Sequence, residues 1–257
     1  MILRMMMSRK MLFLGLFLAF SSILFAFTPV QSVIERVDEN YAYIAKNVNL
    51  KKGASGVVIR DFGASRAIIK KAVITSDEAD ELKLEIKDFT ALSQSALPDL
   101  NISAQAGDKV IMNYLYDRGL IIAPDEESTD LVKTFYRDIY FIDPDIFGVY
   151  LIRDSKIAPQ KKHLQKFCAD NGAGVLAFVL KDKIKVVDCF EFSLLDETQI
   201  SARTNIPVKP FYSRLTGYRQ SLYGFFTEEI ILDYYQFYED LLSGKEAPDL
   251  FQKIIGQ

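Results

Sequence analysis

This chain of 257 residues contains no tryptophan, one histidine and two cysteines. A single histidine argues against a multi-histidine metal centre. It also forces any Ser-His-Asp or Cys-His arrangement to run through His163. His163 lies between Lys162 and Leu164 in a helical-looking segment, so it reads as a surface residue. No nucleophile elbow and no cysteine-protease signature accompanies it. Cys168 and Cys189 lack C-x-x-C spacing, and with one histidine they do not make a zinc site. Charge is close to balanced, with 31 basic against 34 acidic residues and a net charge of −3. No global field of either sign points to nucleic acid or an anionic membrane. The expectation is that there are no catalytic residues, no cofactor and no metal, and hence no enzyme.

Hydrophobic residues make up 49% and charged residues 25%, the balance of a chain that folds around a core. The one long apolar run is at the front. Arg4, Arg9 and Lys10 precede "MLFLGLFLAFSSILFAF", Met11 to Phe27. A basic n-region and an apolar h-region are the two parts of a secretory signal, and Ala26 is a small residue suited to cleavage. Residues 1–27 are therefore expected to be a signal peptide, with an uncleaved anchor as the alternative. Either way the rest of the chain is exported. It is expected in the periplasm or cell envelope, peripheral to a membrane or N-terminally anchored at most.

The fold class expected is α/β (α+β): a small β-barrel over 33–125, then an α/β layered unit over 126–257 closed by a C-terminal helix. In the first part "VIERVDENYAYIA" alternates apolar and polar positions around a "DEN" turn. "GVVIRDF", "RAIIKKAVITS", "ELKLEIKDF", "AGDKVIMNYL" and "GLIIAP" follow at short intervals, the spacing of a closed or half-closed barrel. The stretch "NLKKGASGVVIR", 49–60, has the glycines and lysines of an anion-gripping loop. Such a loop needs a helix directly after its glycines, whereas here Gly53 leads into β-branched residues. "NISAQAGDKVIM", 101–112, repeats the pattern around Gly107. Both read as glycine turns into strands, with Lys51 and Lys52 a solvated pair.

In the second part "ESTDLVKTFYRDIYFI" is predicted helical, with Ser128 or Thr129 as its N-cap. "FIDPDIFG" places Asp143 and Asp145 about Pro144. They fit a turn better than an acid/base pair or a cation site, because Asp side chains bond to nearby backbone. "FGVYLIR", a continuous apolar run, is predicted to be a central strand. "SKIAPQKKHLQKFCADNGAG" is predicted to be a helix with Pro159 in its first turn and an end at Asn171-Gly172. "VLAFVLKDKIKVVDCFEFSLL" is two strands about a Lys-Asp turn. Cys168 on the helix and Cys189 at a strand end permit a disulfide, and two buried thiols are the alternative. Thr227 is the predicted cap of a last helix, "EEIILDYYQFYEDLLSG", ended by Gly244. Its two apolar stripes are wide enough to serve as core, or for a tyrosine-rich edge at Tyr234, Tyr235 and Tyr238 to meet a partner.

The succession "SVIERVDENYAYIA", "KKGASGVVI", "GDKVIMNYLYDRGLIIAPD", "FIDPDIFGVYL", "FCADNGAGVLAFVL", "VDCFEFSLLD" and "PFYSRL" resembles the N-terminal domain of the bacterial plasminogen-binding protein family. The resemblance runs from about residue 30 to 245. It implies an envelope or surface protein with a protein-binding role and no enzyme activity, and host plasminogen as partner. Plasminogen kringles take lysine, above all a C-terminal one, which makes Lys51, Lys52 and Lys253 candidate contacts. The chain as written ends in "KIIGQ", so weak kringle binding is expected from its terminus. The other function open at this point is an accessory or scaffold role in a periplasmic assembly such as the flagellar motor.

Overall fold

The structure is a computed structural model that describes residues 27–90, 102–153, 158–208, 210–215, 231 and 233–245. Its described part is mostly β, with four helices. Seven strands form the first sheet: β1 (Val30–Val33), β2 (Arg36–Asp38), β3 (Tyr41–Ala45), β4 (Ser55–Asp61), β5 (Arg66–Asp77), β6 (Glu81–Lys87) and β7 (Lys109–Met112). Their order is β1-β7-β4-β5-β6-β3-β2, antiparallel throughout. No ladder joins β1 to β2 among the described residues, so the sheet is a curled half-barrel and not a closed one. Register shifts at Val58/Ile59 and at Ile74/Ser76 mark the places where strands bend. The "DEN" turn joins β2 to β3 as the alternation predicted, with Glu39 at φ 51°.

The second sheet contains β8 (Arg118–Ile122), β9 (Tyr140–Ile142), β10 (Val175–Val179), β11 (Lys183–Asp188) and β12 (Leu194–Gln199), in the order β12-β11-β10-β8-β9. β8 runs parallel to both β10 and β9. The segment "GLIIAP" was expected in the barrel, but it belongs to this sheet, so the division at 125 does not follow the sheets. The physical reason is that its short apolar run is buried on both faces, as a parallel central strand requires. Alternation along the strands divides the apolar residues between two cores. Ile121, Val175, Ala177, Val179, Ile184 and Val186 join the half-barrel residues Ile44, Val58, Ile74, Leu84 and Met112. Leu120, Ile122, Leu176, Phe178 and Leu180 face the other way, against residues of the helices.

Those helices are α1 (Glu126–Phe135), α2 (Pro144–Arg153), α3 (Lys161–Asn171) and α4 (Tyr234–Leu242). The N-cap of α1 is Asp125, whose carboxylate accepts the Ser128 amide at 2.7 Å. Ser128 and Thr129, the expected caps, are buried inside the first turn. "FGVYLIR" forms most of α2 and is not a strand. The Asp145 amide donates to Asp143 Oδ1, and Pro144 opens the helix, where its missing N–H is not needed. Phe147, Gly148, Tyr150 and Leu151 are buried, which is helical periodicity hidden inside an apolar run. α3 ends at Gly172 in the left-handed region, as its sequence indicated. Its N-cap is Gln160, so Pro159 precedes the helix. His163 is buried, not on the surface: it is the third residue of the helix, and its Nδ1 accepts the Gln160 amide at 3.1 Å. α4 begins later than expected. Asp233 is extended and accepts the amides of Tyr235 and Gln236, so the helix starts at Tyr234. Thr227 lies outside the described residues. Gly244, at φ 74°, follows the helix end.

Candidate functional site

Beside the shared core, one short segment of the half-barrel, 51–55, is hydrogen-bonded to residues 188–196. Three alternate residues of that segment make the contact. Lys51 Nζ donates to the Leu195 carbonyl at 3.0 Å and to Asp196 Oδ1 at 3.1 Å. The Gly53 carbonyl accepts the Ser193 hydroxyl at 2.5 Å. Ser55 Oγ donates to Asp188 Oδ2 at 2.5 Å. Gly53 takes φ +87°, and a Cβ there would lie 2.7 Å from Ser193 Cβ, so both backbone conformation and space demand glycine. The turn is structural, as its strand context indicated. Lys51 is nevertheless half-buried and held at the junction, whereas Lys52 is exposed; the two are not a solvated pair.

Asp188 is the centre of this junction and is completely buried. Its Oδ2 accepts Ser55 Oγ and the Tyr116 hydroxyl at 2.6 Å, and its Oδ1 accepts the amides of Phe190 at 2.8 Å and Glu191 at 2.6 Å. The Tyr116 hydroxyl in turn accepts the Ser55 amide at 2.9 Å. Burial pushes the Asp188 carboxyl above the ordinary aspartate range despite these donors. Burial and the neighbouring Asp188 charge also hold the Tyr116 phenol far above its usual value. Beside them Glu191 reaches back to the half-barrel, 2.5 Å from Lys71 on β5 and 3.2 Å from Lys87 on β6. Burial pushes its carboxyl up, but the two ammoniums outweigh that and hold it below the glutamate range.

The turn 188–193 also touches α3. The structure joins Cys189 to Cys168 as a disulfide, with Cα atoms 6.3 Å apart, an ordinary separation for a bridge. Gln165 on α3 donates to the Phe190 carbonyl. Between α3 and the half-barrel lies an open cleft of about 450 Å³ whose walls include Gly56, Lys71, Phe89, Tyr114, Lys166 and Phe190. Its cations are already partnered: Lys71 by Glu191 and Lys166 by Asp170, at 2.9 Å.

The remaining sequence candidates are placed elsewhere. Tyr234 and Tyr238 are fully buried. Their hydroxyls donate to the carbonyls of Ile122 at 3.0 Å and Pro210 at 2.7 Å. They pack the second core and do not form a partner-facing edge, because the wide stripe of α4 is covered by the chain's own sheet; Tyr235 beside them is half-buried. Asp143 and Asp145 are bound by Arg214, whose Nε donates to Asp145 Oδ2 at 2.9 Å, and Ser213 also donates to Asp145. Lys253 lies outside the described residues. Among the described residues no group of His, Cys, Asp or Glu is arranged to hold a metal ion. No helix among them is long and apolar enough to cross a membrane.

Ser55, Tyr116, Asp188 and Glu191 were not singled out by sequence. The one signal was an acid in "KVVDCF", at the end of an apolar strand and next to a cysteine, where a charge must find partners.

The fold is thus a mixed α+β protein in which a half-barrel and a second sheet share one core around a buried carboxylate. The chain belongs to the family described as plasminogen-binding protein pgbA N-terminal, which matches residues 29–242. It is 25% identical over 204 residues to the plasminogen-binding protein PgbA of Helicobacter pylori strain J99, covering 79% of this chain and 45% of the relative. Against the PgbA of Helicobacter pylori strain 26695 it is 24% identical over 204 residues, covering 79% of this chain and 44% of the relative. The chain therefore spans less than half the length of these curated relatives.

Proposed function

We propose that this chain is a non-enzymatic binding protein of the bacterial cell envelope, and that its partner is a protein, with plasminogen the first candidate. The family match across 29–242 carries this reading, since both relatives are named for plasminogen binding. The basic-then-apolar front of the sequence supports export to the periplasm or surface. Exposed lysines are the candidate ligands for a lysine-seeking partner. Lys52 is exposed on the junction turn, while Lys51 beside it is engaged with Asp196. On α3, Lys161, Lys162 and Lys166 are exposed, and Asp170 supplies a carboxylate one turn beyond Lys166. An ammonium with a carboxylate nearby is the pairing that a terminal lysine offers by itself.

The test is plasminogen binding to the exported form of the whole chain, with a lysine analogue as competitor. Binding that the analogue displaces, and that Lys52→Ala or a combined Lys161→Ala, Lys162→Ala, Lys166→Ala variant weakens at least tenfold, is the expected result. No binding at micromolar plasminogen would remove plasminogen as the partner. Capture of a resident envelope protein in its place would favour the scaffold role.

A further inference from the structure

We propose that the Cys168–Cys189 bond is the pin of an oxidation-dependent latch, which sets the 188–193 turn and so closes the junction and cleft between the half-barrel and the second sheet. The inference is independent of which partner the protein binds.

The argument starts from how much one turn carries. Asp188 holds Ser55 of β4 and Tyr116. Phe190 forms part of the cleft wall and accepts Gln165 of α3. Glu191 holds Lys71 and Lys87 on β5 and β6. Ser193 holds Gly53. Nearly every polar tie between this turn and the half-barrel therefore depends on the turn keeping its shape. That shape is not one the chain favours by itself: Phe192 sits at φ 60°, a left-handed conformation that side-chain-bearing residues rarely adopt. The disulfide fastens the turn at its second residue to the last turn of α3, across a sequence separation of 21. Both cysteines are fully buried. Asp188 pairs with Val175 at the end of the β10–β11 ladder, but residues 189–193 lie outside the ladders that join β4 to β5 and β8 to β10, so opening the turn beyond Asp188 leaves those strands paired.

The reaction is thiol–disulfide exchange. An external dithiol supplies two electrons and becomes a disulfide, while Cys168 and Cys189 become thiols. In an exported chain the reverse reaction takes place in an oxidising compartment. The cleft would then reach its final form only after export.

Because the sulfurs are buried, a reductant acts on the opened turn. The rate of reduction therefore reports how firmly the latch is closed, and bonds that close the latch must slow it. The experiment follows dithiothreitol reduction of the full chain by thiol counting, together with amide hydrogen exchange before and after. Glu191→Gln and Ser55→Ala are each expected to speed reduction about tenfold. In the reduced protein, exchange at 52–56 should rise at least tenfold while β8 and β10 keep their protection. A Cys168→Ser, Cys189→Ser variant should reproduce the reduced pattern without reductant. Unchanged protection at 52–56 after reduction overturns the latch, because the bond is then independent of the junction. Loss of protection throughout β8 and β10 also overturns it, because the bond is then a general staple of the fold. If Ser55→Ala does not fold, Glu191→Gln decides the rate comparison, and an unchanged rate there counts against the proposal.

Discussion

The hydroxyl of Ser55, at the start of a half-barrel strand, donates to the fully buried carboxylate of Asp188, at the end of a strand in the second sheet, across 2.5 Å. The two residues are 133 positions apart in sequence, and Tyr116 closes the triangle by bonding to both.

Removing the Tyr116 hydroxyl tests this triangle. Tyr116→Phe leaves the Ser55 amide without an acceptor and takes one donor from Asp188. A loss of about 1–3 kcal/mol in urea unfolding is expected. Asp188→Ala strands four donors at once and should cost more, about 3 kcal/mol or above. An Asp188→Ala protein as stable as the native chain would show that the carboxylate does not organise the junction.

Two carboxyls of the same turn respond oppositely to pH. Glu191 is held below the glutamate range, so its stabilisation is present above the unfolded pKa and is lost as pH falls through the folded one. Asp188 is held above the aspartate range by burial. Its contribution is therefore greatest below the unfolded pKa and declines as pH rises towards the folded one. Glu191→Gln should accordingly flatten the loss of stability on acidification below about pH 4, the ordinary glutamate region. Thermal midpoints measured from pH 3 to 7 check this, and an unchanged acid limb would contradict it.

Gly53→Ala should destabilise by about 2 kcal/mol or more, from the left-handed backbone and the collision with Ser193. Gly63→Ala is the control. Its φ is +75°, but nothing lies within 4 Å of the new Cβ. Only the backbone penalty of about 1 kcal/mol applies there. Equal losses at the two positions would mean that the Ser193 contact is relaxed at little cost.

Tyr238→Ala should lose about 3–5 kcal/mol, because it empties a fully buried aromatic site in the second core. Tyr238→Phe removes the hydroxyl that donates to the Pro210 carbonyl and should lose about 1 kcal/mol. Plasminogen binding by the folded Tyr238→Phe protein should equal that of the native chain. A selective loss of binding there would return this residue to the partner surface.

Export is checked by cell fractionation. The chain should be recovered outside the cytoplasm, and its N-terminal mass should show whether processing occurs near Ala26. Full-length protein confined to the cytosol would end the envelope reading.

Much of the half-barrel was legible because strand alternation is local. "VIERVDENYAYIA" states its own hairpin, and Gly53 and Gly172 state their own turns. "FGVYLIR" misled because a continuous apolar run has no visible period. Only Asp143 and Pro144 before it marked a helix start. His163 misled for a related reason: the two lysines before it suggested solvent, while the ring turns inward and caps the first turn of its helix.

By itself the sequence determined the candidate secretory signal, the strand-rich first part and the family to which the chain belongs. These follow from composition, periodicity and residue order along the chain. Tertiary structure alone decided that β8 joins the second sheet, that Tyr234 and Tyr238 face inward, and that Ser55, Tyr116 and Asp188 meet. The reason is that burial and pairing depend on which surfaces come together. A carboxylate acquires its donors, and an apolar stripe its cover, from residues far away in the chain.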